Sequence, residues 1–193
     1  LGSLTLPVTQ TALVLGGGAA GLTAALALAD QGFPVNLVEK TAQLGGNALR
    51  AGATLEGRDI AAHVRGLIQR VAKHEKITVH TNARLDAVDG FVGNFKSKVS
   101  AQGKAPAVEI EHGVAILATG GRQSVPQEYL YGQNPRVKTL LEINELAGRV
   151  DFQTPDSVVF IQCVGSREPD HPYCSRICCA GALKNAIRLK ENK

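Results

Sequence analysis

The stretch from Leu13 to Glu39 constrains the fold more than any other. An apolar run, Ala12–Leu15, ends in Gly16-Gly17-Gly18-Ala19-Ala20-Gly21, and a segment rich in Ala and Leu, Leu22–Ala29, follows it. Gln31-Gly32 interrupts that segment, and Val35–Val38 begins a second apolar run. A short apolar run closed by glycine predicts a buried parallel strand, and the Ala/Leu segment predicts a helix. The whole is one strand–helix–strand unit of about thirty residues, the size of a right-handed crossover. Its glycines match G-x-G-x-x-G where a strand turns into a helix, the context that gives this motif meaning. Gly16 permits the tight turn, Gly18 lets a pyrophosphate approach the backbone, and Gly21 lets the helix pack close to the sheet. The helix start, at Ala19 and Ala20, turns free N–H groups and partial positive charge toward the phosphates. Glu39 ends the second strand and is placed to accept hydrogen bonds from ribose hydroxyls, which disfavours a 2′-phosphate. Lys40, beside it, is a candidate partner for a phosphate or a ribose.

The remaining pattern fills out an α/β fold. Gly57–His74 carries Ile60, Val64, Leu67, Ile68 and Val71 at helical spacing. Ile77–His80 predicts a third strand and Val114–Ala118 a fourth. Between them, Arg84–His112 places Val88, Phe91, Val92, Phe95, Val99, Val108 and Ile110 at strand-like spacing among Gly, Lys and Ser, which predicts an antiparallel meander laid onto the parallel sheet. A helix is expected around Thr139–Ala147, a strand at Ser157–Ile161 and a long helix at Ser175–Glu191. The expected architecture is a Rossmann-like dinucleotide-binding domain over residues 1–156. Residues 157–193 are expected to form the first strand–helix unit of a second nucleotide-type domain.

Composition narrows the function classes. The chain has 193 residues and a formal net charge of +4, spread without a basic tract, and aromatic residues make up 4%. Nucleic-acid binding is not expected, because nothing supplies a stacking platform. No apolar stretch reaches the roughly 18 residues a membrane span requires. Methionine is absent, even at position 1, which suggests that the chain was cut from something larger or lost a tag.

FAD and NAD share the first strand–helix–strand unit, so the motif alone does not separate them. Two later features favour FAD. Leu44-Gly45-Gly46-Asn47 supplies a second glycine turn past which a long cofactor could run. Ala118-Thr119-Gly120-Gly121, at the end of the fourth strand, resembles the A-T-G segment of flavoproteins with two dinucleotide domains.

All four cysteines, Cys163, Cys174, Cys178 and Cys179, fall within seventeen residues. Four thiolates are the ligand count of one tetrahedral zinc site or one iron–sulfur cluster. The C-x10-C-x3-C-C spacing lacks the paired knuckles of zinc sites, and adjacent cysteines suit a larger cluster better than one small ion. A redox dithiol remains an alternative, as does no cofactor at all. Clustered thiols without an export signal indicate a reducing compartment, so a cytoplasmic location is expected.

With these residues in view, the chain resembles the heterodisulfide reductase A family and related flavin–iron–sulfur electron-transfer proteins. The resemblance rests on GGGAAG, on LGGN at 44–47, on Glu128-Tyr-Leu-Tyr-Gly-Gln-Asn-Pro135, and above all on VVFIQCVGSRE…HPYCSRICCAGALKN from Val158 to Asn185. It implies FAD in a thioredoxin-reductase-like core, with the backbone near Arg84 meeting the adenine. It also implies a [4Fe–4S] cluster held by Cys163, Cys174, Cys178 and Cys179. Implied partners are other electron-transfer subunits and ferredoxin-like redox proteins, with a homo-oligomer also open. No side chain need be catalytic, because the cofactors carry the chemistry. The chain lacks a ferredoxin-type C-x2-C-x2-C-x3-C run, and Cys163-Val-Gly165-Ser-Arg167 keeps one glycine where a second G-x-G-x-x-G would stand. The implied activity therefore belongs to a larger protein, of which this chain by itself would be an inactive piece. The alternatives are a flavin- or NAD-dependent oxidoreductase cycling Cys174 and Cys178, or a non-catalytic docking module.

Overall fold

The computed structural model describes residues 5–101 and 106–192. They fall into two compact units: 5–49 with 62–101 and 106–121, and 50–61 with 122–192. The expected boundary at 156/157 does not coincide with this division, and it stands as a proposal about domains in a longer protein.

The first unit is built on a four-stranded parallel sheet of β1 (Ala12–Leu15), β2 (Val35–Val38), β3 (Ile77–His80) and β7 (Val114–Leu117), in the order β3-β2-β1-β7. Strand β1 lies in the middle and is buried along its whole length, as a strand covered on both faces must be. Helix α1 (Ala19–Asp30) buries Gly21, Leu22, Ala25, Leu26 and Ala29, the 3–4 spacing of one helical face. Helix α2 (Ile60–Lys73) does the same with Val64, Leu67 and Val71. It starts three residues later than expected. Residues 53–59 close instead into a turn, with an Ala53–Asp59 bridge and Gly57 at a φ of +79°.

The expected meander is present as its own antiparallel sheet of β4 (Ala83–Phe91), β5 (Asn94–Ala101) and β6 (Val108–His112). A bulge at Asp86 shifts the register between Leu85 and Ala87. Val99 and Ile110 of this sheet pack with Leu13, Leu15, Val38 and Ala83 in one apolar core. His112 is fully buried there. Its Nε2 lies 2.8 Å from Ser97 Oγ and its Nδ1 3.1 Å from the Val114 carbonyl. A carbonyl only accepts, so the proton sits on Nδ1 and Ser97 donates to Nε2. Burial holds the imidazole pKa below its ordinary value.

The second unit contains α3 (Leu140–Leu146) and α4 (Cys178–Glu191). Thr139 caps α3 in a reciprocal box with Glu142. Two sequence expectations are corrected here. Ser157–Ile161 is not a strand, because no described strand of this unit offers it a ladder, and backbone groups need a pairing partner to make a sheet. The last helix begins at Cys178 rather than Ser175, because Arg176 takes a left-handed φ of +60° that ends helical geometry on its N-terminal side.

Candidate functional site

The glycine loop connects β1 to α1, and each glycine of the fingerprint meets a different demand. Gly16 has a φ of +109°, and a Cβ on it would collide with the Ala118 carbonyl at the end of β7. A Cβ on Gly21 would collide with the carbonyl of Gly16. At Gly18 nothing lies within 4 Å of where a Cβ would be. Gly18 is also the N-cap of α1, and no side chain caps that end. The first N–H groups of α1, from Ala19 onward, therefore border open ground. That combination fits a pyrophosphate, since helix N-termini leave donors unsatisfied and carry partial positive charge.

The second glycine turn closes on the first. Gly45 N–H donates to the Gly17 carbonyl at 2.7 Å, and Gly18 and Gly45 form a parallel bridge. Asn47 Nδ2 donates to the Gly121 carbonyl at 2.8 Å, tying LGGN to the Thr119-Gly120-Gly121 segment beyond β7. The three glycine-bearing stretches singled out in the sequence thus converge at the carboxyl ends of β1, β2 and β7. Ligands bind outside the carboxyl ends of strands in open α/β sheets.

Glu39 sits at the end of β2, 7% exposed. Its Oε2 accepts from Gly17 N–H at 2.8 Å, and its Oε1 accepts from the N–H and the hydroxyl of Thr41, both at 2.8 Å. Burial raises the carboxyl pKa, but these hydrogen bonds, helped by Lys40, outweigh it and hold the pKa below the usual value. The Glu39 carbonyl accepts from Ala83 N–H and the Thr41 carbonyl from Asn82 N–H. The Arg84 backbone is therefore held beside Glu39, while its side chain turns to Asp86 at 2.9 Å. Lys40 is exposed.

The cysteines do not converge. Cys174, Cys178 and Cys179 are exposed and Cys163 is half-buried, all as free thiols. Among the described residues, no three His, Cys, Asp or Glu side chains form a group that could hold a metal ion. Cys174 Sγ accepts from Arg176 N–H at 3.3 Å, and Cys178 Sγ lies 3.1 Å from Ser175 Oγ. Cys163, Arg167 and Arg176 all have left-handed φ angles near +60°, so the segment is held in costly backbone geometry at about 1–2 kcal/mol per residue. Four thiols match an iron–sulfur cluster in donor type. Their placement does not make a ligand set.

Sequence reasoning missed Gly17 and Thr41. The signal for Thr41 was present: a hydroxyl residue two places after a strand-ending acid can turn back onto its carboxylate. A Cβ on Gly17 would meet the flexible end of the Leu44 side chain and come within 3.2 Å of Glu39, so the close cover of this glycine is set by side chains that can shift.

A central parallel sheet, a glycine-tight β–α turn and an acid at the end of β2 define a Rossmann-like dinucleotide-binding domain. Residues 14–70 match the family described as "NAD(P)-binding Rossmann-like domain". Among curated proteins, the chain is similar to one of two iron–sulfur A-type components of CoB–CoM heterodisulfide reductase from Methanopyrus kandleri, 28% identical over 96% of the chain and 42% of the relative. It is also similar to the A-type component of the H2:CoB–CoM heterodisulfide,ferredoxin reductase of Methanothermobacter marburgensis, 29% identical over 95% of the chain and 42% of the relative. The chain thus spans less than half the length of these relatives. The match to the first runs over 282 residues against 193 in the whole of this chain, so the relative carries additional residues inside the matched stretch. Among solved structures, L-proline dehydrogenase from P. horikoshii aligns with a TM-score of 0.50 and 28% identity, over 60% of this chain and 23% of that one. No helix among the described residues is long and apolar enough to cross a membrane.

Proposed function

We propose that the chain is the FAD-binding part of an electron-transfer oxidoreductase of the heterodisulfide reductase A type. The observation that carries this reading is the open ground at Gly18, bordered by the uncapped start of α1 and the second glycine turn. Ala19, Ala20 and Gly21 would offer N–H groups to the pyrophosphate, and Gly18 would let it approach. Glu39 would accept from the adenosine ribose, with the backbone at Arg84 close to the adenine. Gly45, Gly46 and Asn47, with Ala118, Thr119 and Gly120, would border the path of the remaining half of the cofactor, and Lys40 would add positive charge. FAD, when bound, supplies a store that accepts an electron pair and passes electrons on. The chain's own contribution is to bind and orient it.

Cys163, Cys174, Cys178 and Cys179 are proposed ligands of a [4Fe–4S] cluster. Support comes from their number, their clustering, their free thiols and the N–H donor already aimed at Cys174 Sγ. The proposed partners are other subunits of the same complex and ferredoxin-like proteins.

A second reading, NAD in the same loop, is favoured by the description of the matched family. Titration of the anaerobically purified protein with FAD and with NAD separates the two. The expected result is saturable FAD binding that quenches flavin fluorescence, with NAD weaker by at least about tenfold, or 1.4 kcal/mol. Tight NAD binding without FAD binding overturns the assignment. An iron and sulfide assay on the same preparation tests the cysteine reading.

A further inference from the structure

An ionised carboxylate has about four lone-pair positions. In Glu39 three are taken: one on Oε2 by Gly17 N–H, and both on Oε1 by the N–H and hydroxyl of Thr41. The geometry points to Thr41 as a positioning residue that fills Oε1 and leaves Glu39 one acceptor position, so that the site takes a single ribose hydroxyl of an adenine nucleotide rather than both. This rests on the dinucleotide reading of the glycine loop and goes beyond it, because an acid at this place would otherwise be free to accept the 2′- and 3′-hydroxyls together.

Thr41 holds one carboxylate oxygen and Gly17 N–H the other, so the two residues together fix its plane. Thr41 Oγ1 also lies 2.8 Å from the Gln43 carbonyl. One hydroxyl proton serves one acceptor at a time, and a charge-assisted bond to an ionised carboxylate is the stronger of the two. With Glu39 ionised, the proton therefore points to Oε1. With Glu39 protonated, it is released to Gln43, at the threshold of the second glycine turn. The other neighbours of Glu39 leave this arrangement in control. From β3, His80 meets it through its backbone carbonyl while its ring lies 3.0 Å from Asn36. From β4, Ala83 offers an N–H to the Glu39 carbonyl rather than to the carboxylate. Leu44 covers Gly17 with an apolar side chain. Lys40 is the charged side chain that acts on the carboxylate, and it favours the anion.

The test is calorimetric titration of the chain with ADP, 2′-deoxy-ADP and 3′-deoxy-ADP, for the wild type and for Thr41→Val and Thr41→Ser. In the wild type, one deoxy analogue should bind at least about tenfold more weakly than ADP and the other within about twofold, since one charge-assisted hydrogen bond is lost in the first case only. Thr41→Val should free one position on Oε1, so that both deoxy analogues bind at least about tenfold more weakly than ADP, and should move the acid limb of the pH profile for ADP upward. Thr41→Ser should restore the wild-type behaviour in both respects. Equal losses for both deoxy analogues in the wild type overturn the single-hydroxyl proposal, and that arm needs no variant. A Thr41→Val protein that separates the two deoxy analogues as the wild type does, with an unchanged pH profile for ADP, overturns the role of Thr41 while leaving the glycine-loop reading intact. If wild-type protein binds no ADP, the glycine-loop reading falls and the proposal with it.

Discussion

Gly18 and Gly21 are the same residue three positions apart, and a methyl group would act oppositely at each. A Cβ on Gly21 runs into the Gly16 carbonyl, a backbone atom that cannot step aside, whereas a Cβ on Gly18 meets nothing. Gly21→Ala should therefore cost roughly 1–3 kcal/mol of stability through overpacking. Gly18→Ala should cost about 1 kcal/mol or less, because its φ of −77° suits any residue and only N-cap preference is lost. Affinity should rank the other way: Gly18→Ala should lose at least about tenfold in FAD binding, because the methyl stands where the pyrophosphate approaches. Urea denaturation and a flavin titration on both variants check the pair, and a Gly18→Ala protein with wild-type FAD affinity would remove the pyrophosphate from that ground. The tight turn at Gly16 and the close packing at Gly21 were legible in the sequence because the spacing of the glycines itself encodes the turn. The Thr41 contact was less legible, because a hydroxyl two places from an acid is common and becomes informative only once the carboxylate is buried. The cysteines show the reverse case. Their count and clustering could be read from the sequence, but convergence of four sulfurs depends on backbone geometry that spacing does not determine.

At the scale of elements, β1, β2 and β3 begin and end where the apolar runs do, at Ala12–Leu15, Val35–Val38 and Ile77–His80. A strand flanked by glycine, proline or turn residues on a sheet it can pair with has its limits written locally. Ser157–Ile161 has equally good β-branched and aromatic content yet forms no strand. A ladder requires a partner, and local sequence carries no information about one. The buried His112 gives the meander a pH dependence. Burial lowers the pKa of this imidazole, and that of His80, below the ordinary value of 6.5. The unfolded chain then takes up these protons more readily than the folded one, so the contribution to stability is complete above about pH 6.5 and falls as the pH drops below it. The urea midpoint should decline between about pH 7.5 and 5.5; a flat or rising midpoint would show that the folded ring takes its proton as easily as the unfolded one. Helix α3 offers a second element-scale test. Thr139 Oγ1 accepts from Glu142 N–H at 3.4 Å, and Glu142 Oε2 accepts from Thr139 N–H at 2.7 Å. Thr139→Ala should destabilise the protein by about 1 kcal/mol, and Thr139→Ser should recover most of that.

At the scale of the whole molecule, apolar surface is distributed unevenly. The first unit buries β1 and the inner faces of α1 and α2. In the second unit, Val159 is 83% exposed, Ile177 72% and Leu183 58%. Of these only Leu183 lies within α4, which also leaves Ile187 45% exposed and buries Ala182, Asn185 and Leu189, so one of its faces is packed and another is largely bare. The exposed face contributes little to folding, because most of the hydrophobic gain comes from the packed face. Two lysine substitutions on α4 therefore separate the faces. Leu183→Lys should leave the unfolding free energy within about 0.5 kcal/mol of wild type, as surface changes do, while lowering the binding of an apolar dye and any tendency to self-associate. Leu189→Lys should cost more, about 2 kcal/mol or above, because it replaces a side chain only 4% exposed with an ammonium group that must be desolvated or pull the packed face open. Parallel urea titrations with dye binding decide the matter. If Leu183→Lys destabilised the chain as much as Leu189→Lys, the exposed face of α4 would be part of the folded core, and its apolar residues would need no further cover.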